Sequence, residues 1–572
     1  MNTEEHDMSI LNTQMRLLSE LTNKGCWEGR LSSSALATAT AAFALMSAGH
    51  KETAQRGFRW LAKNGNIDGG WGDSPESPSN FAATLLCWCA LSYGGSEFRI
   101  PFERAGKWLS DKTGRLDGGT LFKRVLRIYG NDRTFAAPIL TMCQLAGRLD
   151  GNWKLVPQLP FELAVVPHRF YKWLRLPVVS YALPALIAIG IVKHRSEPSK
   201  FLPLRILRNR LIPPTLKILR KIQPESGGFL EAAPLNAFVA MSLSAAGFEW
   251  HPVTKSCISF LENTIRSDGS WPIDINLATW LTSLSVHALT ETDNAITSER
   301  KKAIHTYLLD TQLRKEHPFT HSAPGGWGWT HASGGVPDTD DTAAALLALW
   351  RLDPETPPVD GIYWLLNMQN RDGGIPAFCK GWGSLPFDRS CPDITAHAIH
   401  ALSEWRDSMD VRLTKKIDRQ IRRALNYLAD RQCADGSWLP LWFGNQYTLR
   451  QESPLFGTAR VLEGLASLDR DRFPMVGQLI EKAVQWLDKS QNADGGWGGA
   501  TGIQSTIEET ALAVSAVATL SPKVAERGKV WLIEQTRNGT QFPPAPIGLY
   551  FASLWYSERL YPVIFTLKAL LA

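Results

Sequence analysis

The chain has 572 residues and a formal net charge of +6, is 44% hydrophobic and contains 22 tryptophans. This length exceeds one ordinary core and this composition excludes a disordered chain, so we expect a globular protein of at least two domains. The charge is unevenly distributed. Residues 193–221 hold nine Lys/Arg and one acid, Glu197, so their net charge of 9 − 1 = +8 exceeds the net charge of +6 of the whole chain.

A repeat runs along most of the chain. Its fullest copies, residues 423–438 and 482–497, both read basic-x3-aromatic-Leu-x3-Gln-x2-Asp-Gly-small-Trp. Weaker copies end at Trp71, Thr120, Phe229, Trp271, Trp327 and Ile375, and a remnant surrounds Trp531. The first part of the repeat has helical spacing, and Asp-Gly must break the helix, since Gly permits the left-handed backbone of a tight turn. The Gln amide can then tie the turn to a neighbouring helix end.

The stretches between the repeats, such as residues 342–352 and 510–520, are apolar with a helical period, and no segment shows the alternation of a sheet strand. Each repeat is therefore predicted to be a helix, a stapled turn and another helix. Repeated hairpins of this kind stack or close into a ring, so we expect an all-α fold in which most tryptophans are staples and core residues.

Two stretches interrupt this regularity. Residues 176–192 carry no charge, contain Pro177 and Pro184, and fall just short of the ~20 residues of a membrane span, which favours a buried helix. Residues 193–221 are basic and rich in Leu and Ile, a composition typical of a segment that lies on an anionic lipid surface. The simpler alternative is a solvated linker between domains.

The eight cysteines are scattered and lack the spacing of a zinc site. They are interpreted as reduced, mostly buried thiols, which favours a reducing compartment. No metal ion or other cofactor is expected.

Residues 337–341, Pro-Asp-Thr-Asp-Asp, precede an apolar run and predict the start of a helix capped by Asp338. Asp338, Asp340 and Asp341 exceed what capping needs, and like charges so close cannot all ionise cheaply, so at least one should keep its proton at neutral pH. A protonated carboxyl group beside an apolar cavity is a proton donor. Two alternatives stay open at this point, a solvated acidic cap and a metal site. Sites for Mg²⁺ and diphosphate typically carry a third Asp two residues after an Asp pair, and that Asp is missing here.

At this point the sequence resembles a family. The repeat is similar to the QW motif of the squalene-hopene cyclases and related class II triterpene cyclases, and residues 338–343 are similar to their DxDDTA motif. The resemblance implies two α/α barrels joined in a dumbbell. Residues 1–24 would pack on the catalytic barrel, 25–250 would form the second barrel including the membrane-contact segment 193–221, and 251–572 would form the catalytic barrel.

The resemblance also implies residue roles. Asp340 would be the proton donor, Asp338 and Asp341 would hold the acid cluster in place, and His397, in the Asp-x-Thr-Ala-His context of residues 393–397, would strengthen Asp340 as a hydrogen-bonded cation. The aromatic faces that stabilise cations along the folded substrate would come from Trp329, Phe378 and Trp442, with Tyr181, Phe319 and Phe456 as further wall residues. For each aromatic residue, simple core packing is the alternative.

The C-terminal stretch departs from the family pattern. Ala545, Leu549 and Ser553 stand where hopene formers carry aromatic residues, although a shift of register would bring Tyr550, Phe551 or Trp555 into play. The number of rings, and how the last cation is quenched, therefore stay open.

The resemblance implies a protonation-initiated cyclase whose partner is a squalene-like isoprenoid hydrocarbon. It would be a peripheral or monotopic membrane protein that faces the cytoplasm and has no nucleic-acid partner, and a homodimer stays open. A class II cyclase of a shorter or modified prenyl chain is the nearest alternative. A protein prenyltransferase subunit would need a zinc site of Asp, Cys and His that the sequence lacks, and a non-catalytic lipid-binding repeat protein would have no use for three acids at one helix start.

Overall fold

A computed structural model describes residues 3–130, 133–173, 183–292, 295–381, 383, 385–549 and 553–572. The helices of the N-terminal part are α1 (Thr3–Ser19), α2 (Ala35–Ser47), α3 (Lys51–Lys63), α4 (Phe81–Leu91), α5 (Arg99–Thr113), α6 (Gly118–Tyr129), α7 (Arg133–Leu145), α8 (His168–Trp173), α9 (Leu183–Ser196), α10 (Leu202–Ile222), α11 (Ala233–Ala245) and α12 (Pro252–Thr264). Short 3-10 turns connect several of them.

The helices of the C-terminal part are α13 (Ala278–Leu289), α14 (Ser298–Asp310), α15 (Thr339–Leu352), α16 (Val359–Met368), α17 (Pro392–Glu404), α18 (Val411–Arg431), α19 (Pro454–Ala466), α20 (Met475–Ser490), α21 (Ile507–Val517), α22 (Pro522–Gln535) and α23 (Tyr561–Leu571). Among these residues the strands are short: β1 (Ile375–Pro376) pairs with β2 (Ser390–Cys391), and β3 (Phe443–Gly444), β4 (Ile547–Leu549) and β5 (Leu554–Tyr556) form an antiparallel sheet in that order.

The helices close into two rings. In the N-terminal ring, α2 contacts α4, α4 contacts α7, α7 contacts α9, α9 contacts α11, and α11 returns to α2. In the C-terminal ring, α13, α15, α17, α19, α21 and α23 contact one another in succession, and α23 returns to α13. Each ring surrounds its own hydrophobic core and carries outer helices, so the all-α architecture of two α/α barrels is confirmed.

The packing of α1, α12 and Trp271 shows which barrel each of these parts of the chain belongs to. Helix α1 packs against α22 and α23, which places it on the outside of the C-terminal barrel. Helix α12 packs against α2, α10 and α11, and Trp271 belongs to the N-terminal core. We therefore draw the boundary of the two barrels between Trp271 and α13, whereas the sequence analysis places this boundary at residue 250.

The repeat turns are built as the sequence predicts. At the turn of residues 432–438, Gln432 donates to the carbonyls of Gly436 (2.9 Å) and Leu479 (3.1 Å), and the latter belongs to the next outer helix, α20. The indole of Trp438 is fully buried and donates to the carbonyl of Leu428 (2.8 Å). The backbone N–H of Trp438 also donates to the hydroxyl of Thr458 on the following inner helix (3.0 Å), a third staple that the repeat pattern did not reveal.

The uncharged run 176–192 enters the described part of the chain at Leu183. From there it forms α9, whose residues from Pro184 to His194 are buried except Leu186, in agreement with the predicted buried helix. Within the described residues, no helix has both the length and the apolar character needed to cross a membrane.

Candidate active site

The acidic motif lies at the start of inner helix α15, as predicted. Asp338 caps the helix, because its carboxylate accepts the backbone N–H of Asp341 at 2.9 Å. The N–H of Asp338 donates to the carbonyl of Trp327 (2.9 Å), and the N–H of Thr339 donates to the carbonyl of Ala377 (2.7 Å). The helix start is therefore held between the Trp327 turn and the β1 region.

The three carboxyl groups differ in exposure and in acidity. Asp338 and Asp341 are each 5% exposed, whereas the side chain of Asp340 is 20% exposed. Burial raises the pKa of Asp338 to about 7. Burial and then the charge of Asp338 raise the pKa of Asp341 well above its ordinary value, so the expected retained proton is present in this cluster. Asp340 is the most open of the three acids.

Asp340 is paired with His397. Helix α17 packs beside α15 and brings Nδ1 of His397 to 2.5 Å from Oδ1 of Asp340, a contact that requires a shared hydrogen. Burial acts to raise the pKa of Asp340, but its interactions with His397 and then the charge of Arg460 outweigh burial and lower the pKa. Asp340 is thus the strongest acid of the cluster. Burial, and then the charge of Arg460, lower the pKa of His397.

The sequence analysis missed Arg460. It lies on α19, and its Nη2 is 3.3 Å from Nδ1 of His397 while its Nη1 is 3.0 Å from Glu463. Glu463 in turn pairs with Lys568 of α23. The one sequence signal was two charged residues, Arg460 and Glu463, inside the otherwise apolar helix of residues 454–466.

Asp393, the first residue of the Asp-x-Thr-Ala-His context, is a further buried carboxyl group to which the sequence analysis gave no role. Burial raises the pKa of Asp393, at the start of α17, to about 6. The thiol of Cys391 donates to Asp393 (2.6 Å) and accepts the N–H of Leu441 (3.1 Å). This network ties α17 to the chain that follows Trp438.

Two of the three principal aromatic residues lie near the start of α15. Phe378 and Trp442 meet edge to face with centroids 5.1 Å apart, and both pack against the small cluster of Ala377, Cys391 and Ile394, in which the carbonyl of Ala377 holds the helix start. The carbonyl of Trp329 accepts the N–H of Trp280 at 3.3 Å. Trp280, which the sequence analysis also missed, stands edge-on to His397 with centroids 6.3 Å apart.

The second group of aromatic residues is more dispersed. Phe456 is 7% exposed, stacks obliquely on Phe443 (4.6 Å) and lies one helical turn before Arg460 on α19. Phe319 is 7% exposed and packs in the N-terminal core. Tyr181 lies outside the described residues.

The whole chain was compared with known families and structures. The squalene-hopene cyclase N-terminal domain model matches residues 10–203, and the C-terminal domain model of the same family matches residues 276–570. The chain belongs to the squalene-hopene cyclase family. Among members of known activity, enfumafungin synthase of Hormonema carpetanum is 26% identical over 597 residues, which cover 87% of this chain and 42% of that protein. This chain thus spans less than half the length of that relative.

Two further relatives match over most of their own length. Squalene hopane cyclase of Aspergillus fumigatus is 25% identical, with 77% of this chain and 70% of that protein covered. Squalene–hopene cyclase of Bradyrhizobium diazoefficiens is 24% identical, with 85% and 83% covered. Among solved structures, ent-copalyl diphosphate synthase from Streptomyces platensis shares the fold with a TM-score of 0.61, at 19% identity and over 98% of this chain and 99% of that one.

In the C-terminal hairpin of this squalene-hopene cyclase family member, the structure describes Ala545, Leu549, Ser553 and Trp555. Trp555 is buried at 2% exposure, so it is a core residue. Leu549 pairs with Phe443 across the sheet and is partly exposed, and the hydroxyl of Ser553 donates to Gln451 at 3.1 Å. The N–H of Ala545 donates to Glu508 (2.7 Å). Tyr550 and Phe551 lie outside the described residues.

Proposed function

We propose that this protein is a class II terpene cyclase that protonates a terminal double bond of a squalene-like polyprene and closes it into rings. The single observation that carries the proposal is the Asp340–His397 pair, 2.5 Å apart at the start of an inner helix. An alkene is a far weaker base than water, so its protonation needs a strong acid that solvent does not reach. Asp340 is the most acidic carboxyl group of the cluster, and its side chain is only 20% exposed.

The first step transfers the proton of Asp340 to one carbon of the double bond. The π electrons form the new C–H bond, the other carbon becomes a tertiary cation, and Asp340 is left as a carboxylate. Asp341 keeps its proton, and Asp338, which caps the helix and has a pKa of about 7, is partly protonated, so the two acids add little of the negative charge that would weaken the donor. Successive double bonds then attack the cation, and loss of a proton or capture of water ends the sequence.

The aromatic residues stabilise the migrating cation without reacting with it. A desolvated cation–π contact contributes about 2 kcal/mol. Phe378 and Trp442 are the strongest candidates, because both pack against the cluster that contains Ala377, whose carbonyl holds the helix start. Trp329, whose carbonyl accepts a hydrogen bond from the N–H of Trp280, is a further candidate, and the resemblance adds Tyr181, Phe319 and Phe456 as wall residues.

Squalene is the proposed substrate because two of the relatives named above are squalene cyclases. One observation favours a second candidate within the same chemistry, a shorter or modified prenyl chain or a cyclisation that stops early. Ala545, Leu549 and Ser553 offer no aromatic face where the last rings would form. Both candidates use the same acid.

The test is to incubate detergent-solubilised protein with squalene and to analyse the lipids by gas chromatography and mass spectrometry. We expect a cyclised isomer of unchanged mass or its hydrate. Asp340→Asn should abolish the product, whereas Asp360→Asn, at an exposed first-turn acid of α16, should leave it unchanged. A fully active Asp340→Asn enzyme would contradict the mechanism, and turnover of only another polyprene would correct the substrate.

The same proposal includes attachment to the cytoplasmic surface of a membrane through α10. The start of this helix exposes Phe201 (66%), Leu202 (52%) and Leu207 (48%), and the nearby Trp173 is 76% exposed. Not every basic residue of the segment is available, since Arg208 pairs with Glu162 at 2.9 Å. The basic side chains exposed beside the apolar ones are Lys200, Arg205, Arg210, Lys217, Arg220 and Lys221.

Flotation with liposomes that contain an anionic phospholipid tests this attachment. Replacing Arg205, Arg210 and Lys217 by Gln should weaken flotation and increase its salt sensitivity, because each basic residue near an anionic surface contributes about 1 kcal/mol. The matched control replaces Arg412, Lys415 and Arg419, exposed residues of outer helix α18, by Gln. Equal flotation of both variants would overturn the proposed surface.

A further inference from the structure

The interior of the C-terminal barrel contains a chain of charged groups that starts at the acid pair. Arg460 uses both ends of its guanidinium group, with Nη2 at 3.3 Å from Nδ1 of His397 and Nη1 at 3.0 Å from Glu463. Glu463 also pairs with Lys568. One carboxylate between two cations leaves the group with a net positive charge. These residues, together with His287, line a small cavity of about 20 Å³.

The contact between Arg460 and His397 bears on which atom of the acid pair holds the shared proton. A guanidinium group donates hydrogen bonds and cannot accept them. Nη2 of Arg460 faces Nδ1 of His397 at 3.3 Å, and this contact is a hydrogen bond only when that nitrogen carries a lone pair. If Nδ1 has a lone pair, the hydrogen in the 2.5 Å contact with Oδ1 of Asp340 belongs to the carboxyl group.

Electrostatics favours the same assignment. An imidazolium at His397 would place two cations 3.3 Å apart in a buried site, whereas a neutral imidazole removes this repulsion. After the proton leaves, the Asp340 carboxylate faces the net positive charge of the Arg460 group. The cation that strengthens the acid is then a guanidinium, which stays charged at every physiological pH, and not an imidazolium.

We infer that Arg460 is a positioning residue that keeps the shared proton on Asp340 and, through its fixed charge, stabilises the carboxylate formed when that proton is transferred. The inference rests on the proposed cyclase function for its kinetic consequences, but not for the position of the proton. Arg460 acts through His397 and touches no substrate.

Other titratable groups surround the pair and set the background for any pH measurement. They are Asp338 and Asp341 on α15; Cys391, Asp393 and His400 in the β2–α17 region; Tyr427 on α18; Glu463 on α19; His287 on α13; and Lys568 on α23. The charge of Arg460 also acts to lower the pKa of Asp393 and Glu463, so the Arg460→Lys variant, which keeps the charge, is the reference for the profiles.

The kinetic test uses Arg460→Met and the pH dependence of squalene cyclisation. We expect kcat at its optimum to fall about 30-fold with KM unchanged, because the acid is weaker and part of the proton moves to His397. The alkaline limb should move upward by about one pH unit, since removing a cation makes the pair hold its proton longer. Arg460→Lys should keep the limb within a few tenths of the wild-type value. Arg412→Met, at an exposed site, is the control.

Glu463→Gln gives the opposite sign and covers the case in which Arg460→Met does not fold. Neutralising Glu463 leaves Arg460 uncompensated, so the alkaline limb should move downward. A loss of kcat with unmoved limbs in both variants would show a merely structural role and overturn the inference.

The position of the proton is measured separately on the full-length protein labelled with ¹⁵N-histidine, with His397→Gln for assignment. We expect Nδ1 of His397 to be unprotonated in the wild type at pH 6 and protonated in Arg460→Met. A protonated Nδ1 in the wild type overturns the inference whether or not the protein cyclises squalene. If the wild type turns over no polyprene, the proposed function fails while this measurement still decides the role of Arg460.

Discussion

The carboxylate of Asp73 accepts a hydrogen bond of 3.0 Å from the backbone N–H of Trp555. Asp73 follows the Trp71 turn of the N-terminal barrel, and its carbonyl accepts the N–H of Ala35 at 2.9 Å. Trp555 belongs to β5, in the C-terminal hairpin. Both residues are buried, at 0% and 2% exposure, so this contact joins the two barrels in a dry environment.

Asp73→Asn should change how the stability of the protein depends on pH. Burial raises the pKa of Asp73 to about 7, so the folded state favours the protonated form. The stability from this proton is complete below the unfolded pKa near 4 and is lost as pH rises through 7, by up to about 4 kcal/mol. Asn keeps an acceptor for Trp555 and does not titrate. Thermal unfolding should therefore show the variant gaining on the wild type between pH 5 and pH 8.5, and a constant difference in Tm would contradict the assignment.

Gly436→Ala should destabilise the protein by about 1–3 kcal/mol, the usual cost of a non-glycine residue held in a strained backbone conformation. Gly436 has φ of +98°, and a Cβ there would lie 2.4 Å from the carbonyl oxygen of Lys482 on the next outer helix. Gly477, on α20, is the matched control, because its Cβ would meet nothing within 4 Å. Gly477→Ala should raise stability by roughly 0.5–1 kcal/mol. Circular dichroism melting curves of both variants would check the two opposite signs.

The features that were predictable from sequence are those encoded within one turn or one helix start. The staples of Gln432 and Trp438 join residues that the repeat spacing places near each other, apart from the carbonyl of Leu479. The cap at Asp338 likewise joins residues a few positions apart. The physics of such contacts is local, so a repeated pattern is enough to reveal them.

The features that the sequence analysis missed depend on how the inner helices close into a barrel. Arg460 meets His397 and Glu463 meets Lys568 because α17, α19 and α23 lie side by side around one axis. These residues are 63 and 105 positions apart, and no local pattern reports which inner helices face one another. The only local sign was a charged pair within an apolar helix. The link between Asp73 and Trp555, 482 positions apart, is hidden for the same reason.

Phe378→Leu and Trp442→Leu should each lower kcat about 30-fold, the equivalent of losing one desolvated cation–π contact of about 2 kcal/mol. Leu keeps the site apolar, so the change removes the aromatic face and not the exclusion of water. The lipid products should also shift toward species with fewer rings. Phe58→Leu is the control, since Phe58 is fully buried in the N-terminal core and its loss should lower Tm without changing the product pattern.

Leu549→Phe should increase the proportion of products with more rings. Leu549 is partly exposed and lies opposite Phe443 in the sheet, and the sequence resemblance predicts that hopene formers carry an aromatic residue at this position. A phenyl ring at this position would supply the cation–π contact that the last ring closures lack. The products from squalene would be compared by mass spectrometry with those of Leu554→Phe, its cross-strand neighbour. If both variants give the wild-type product pattern, then the lack of an aromatic residue at these hairpin positions does not control the number of rings.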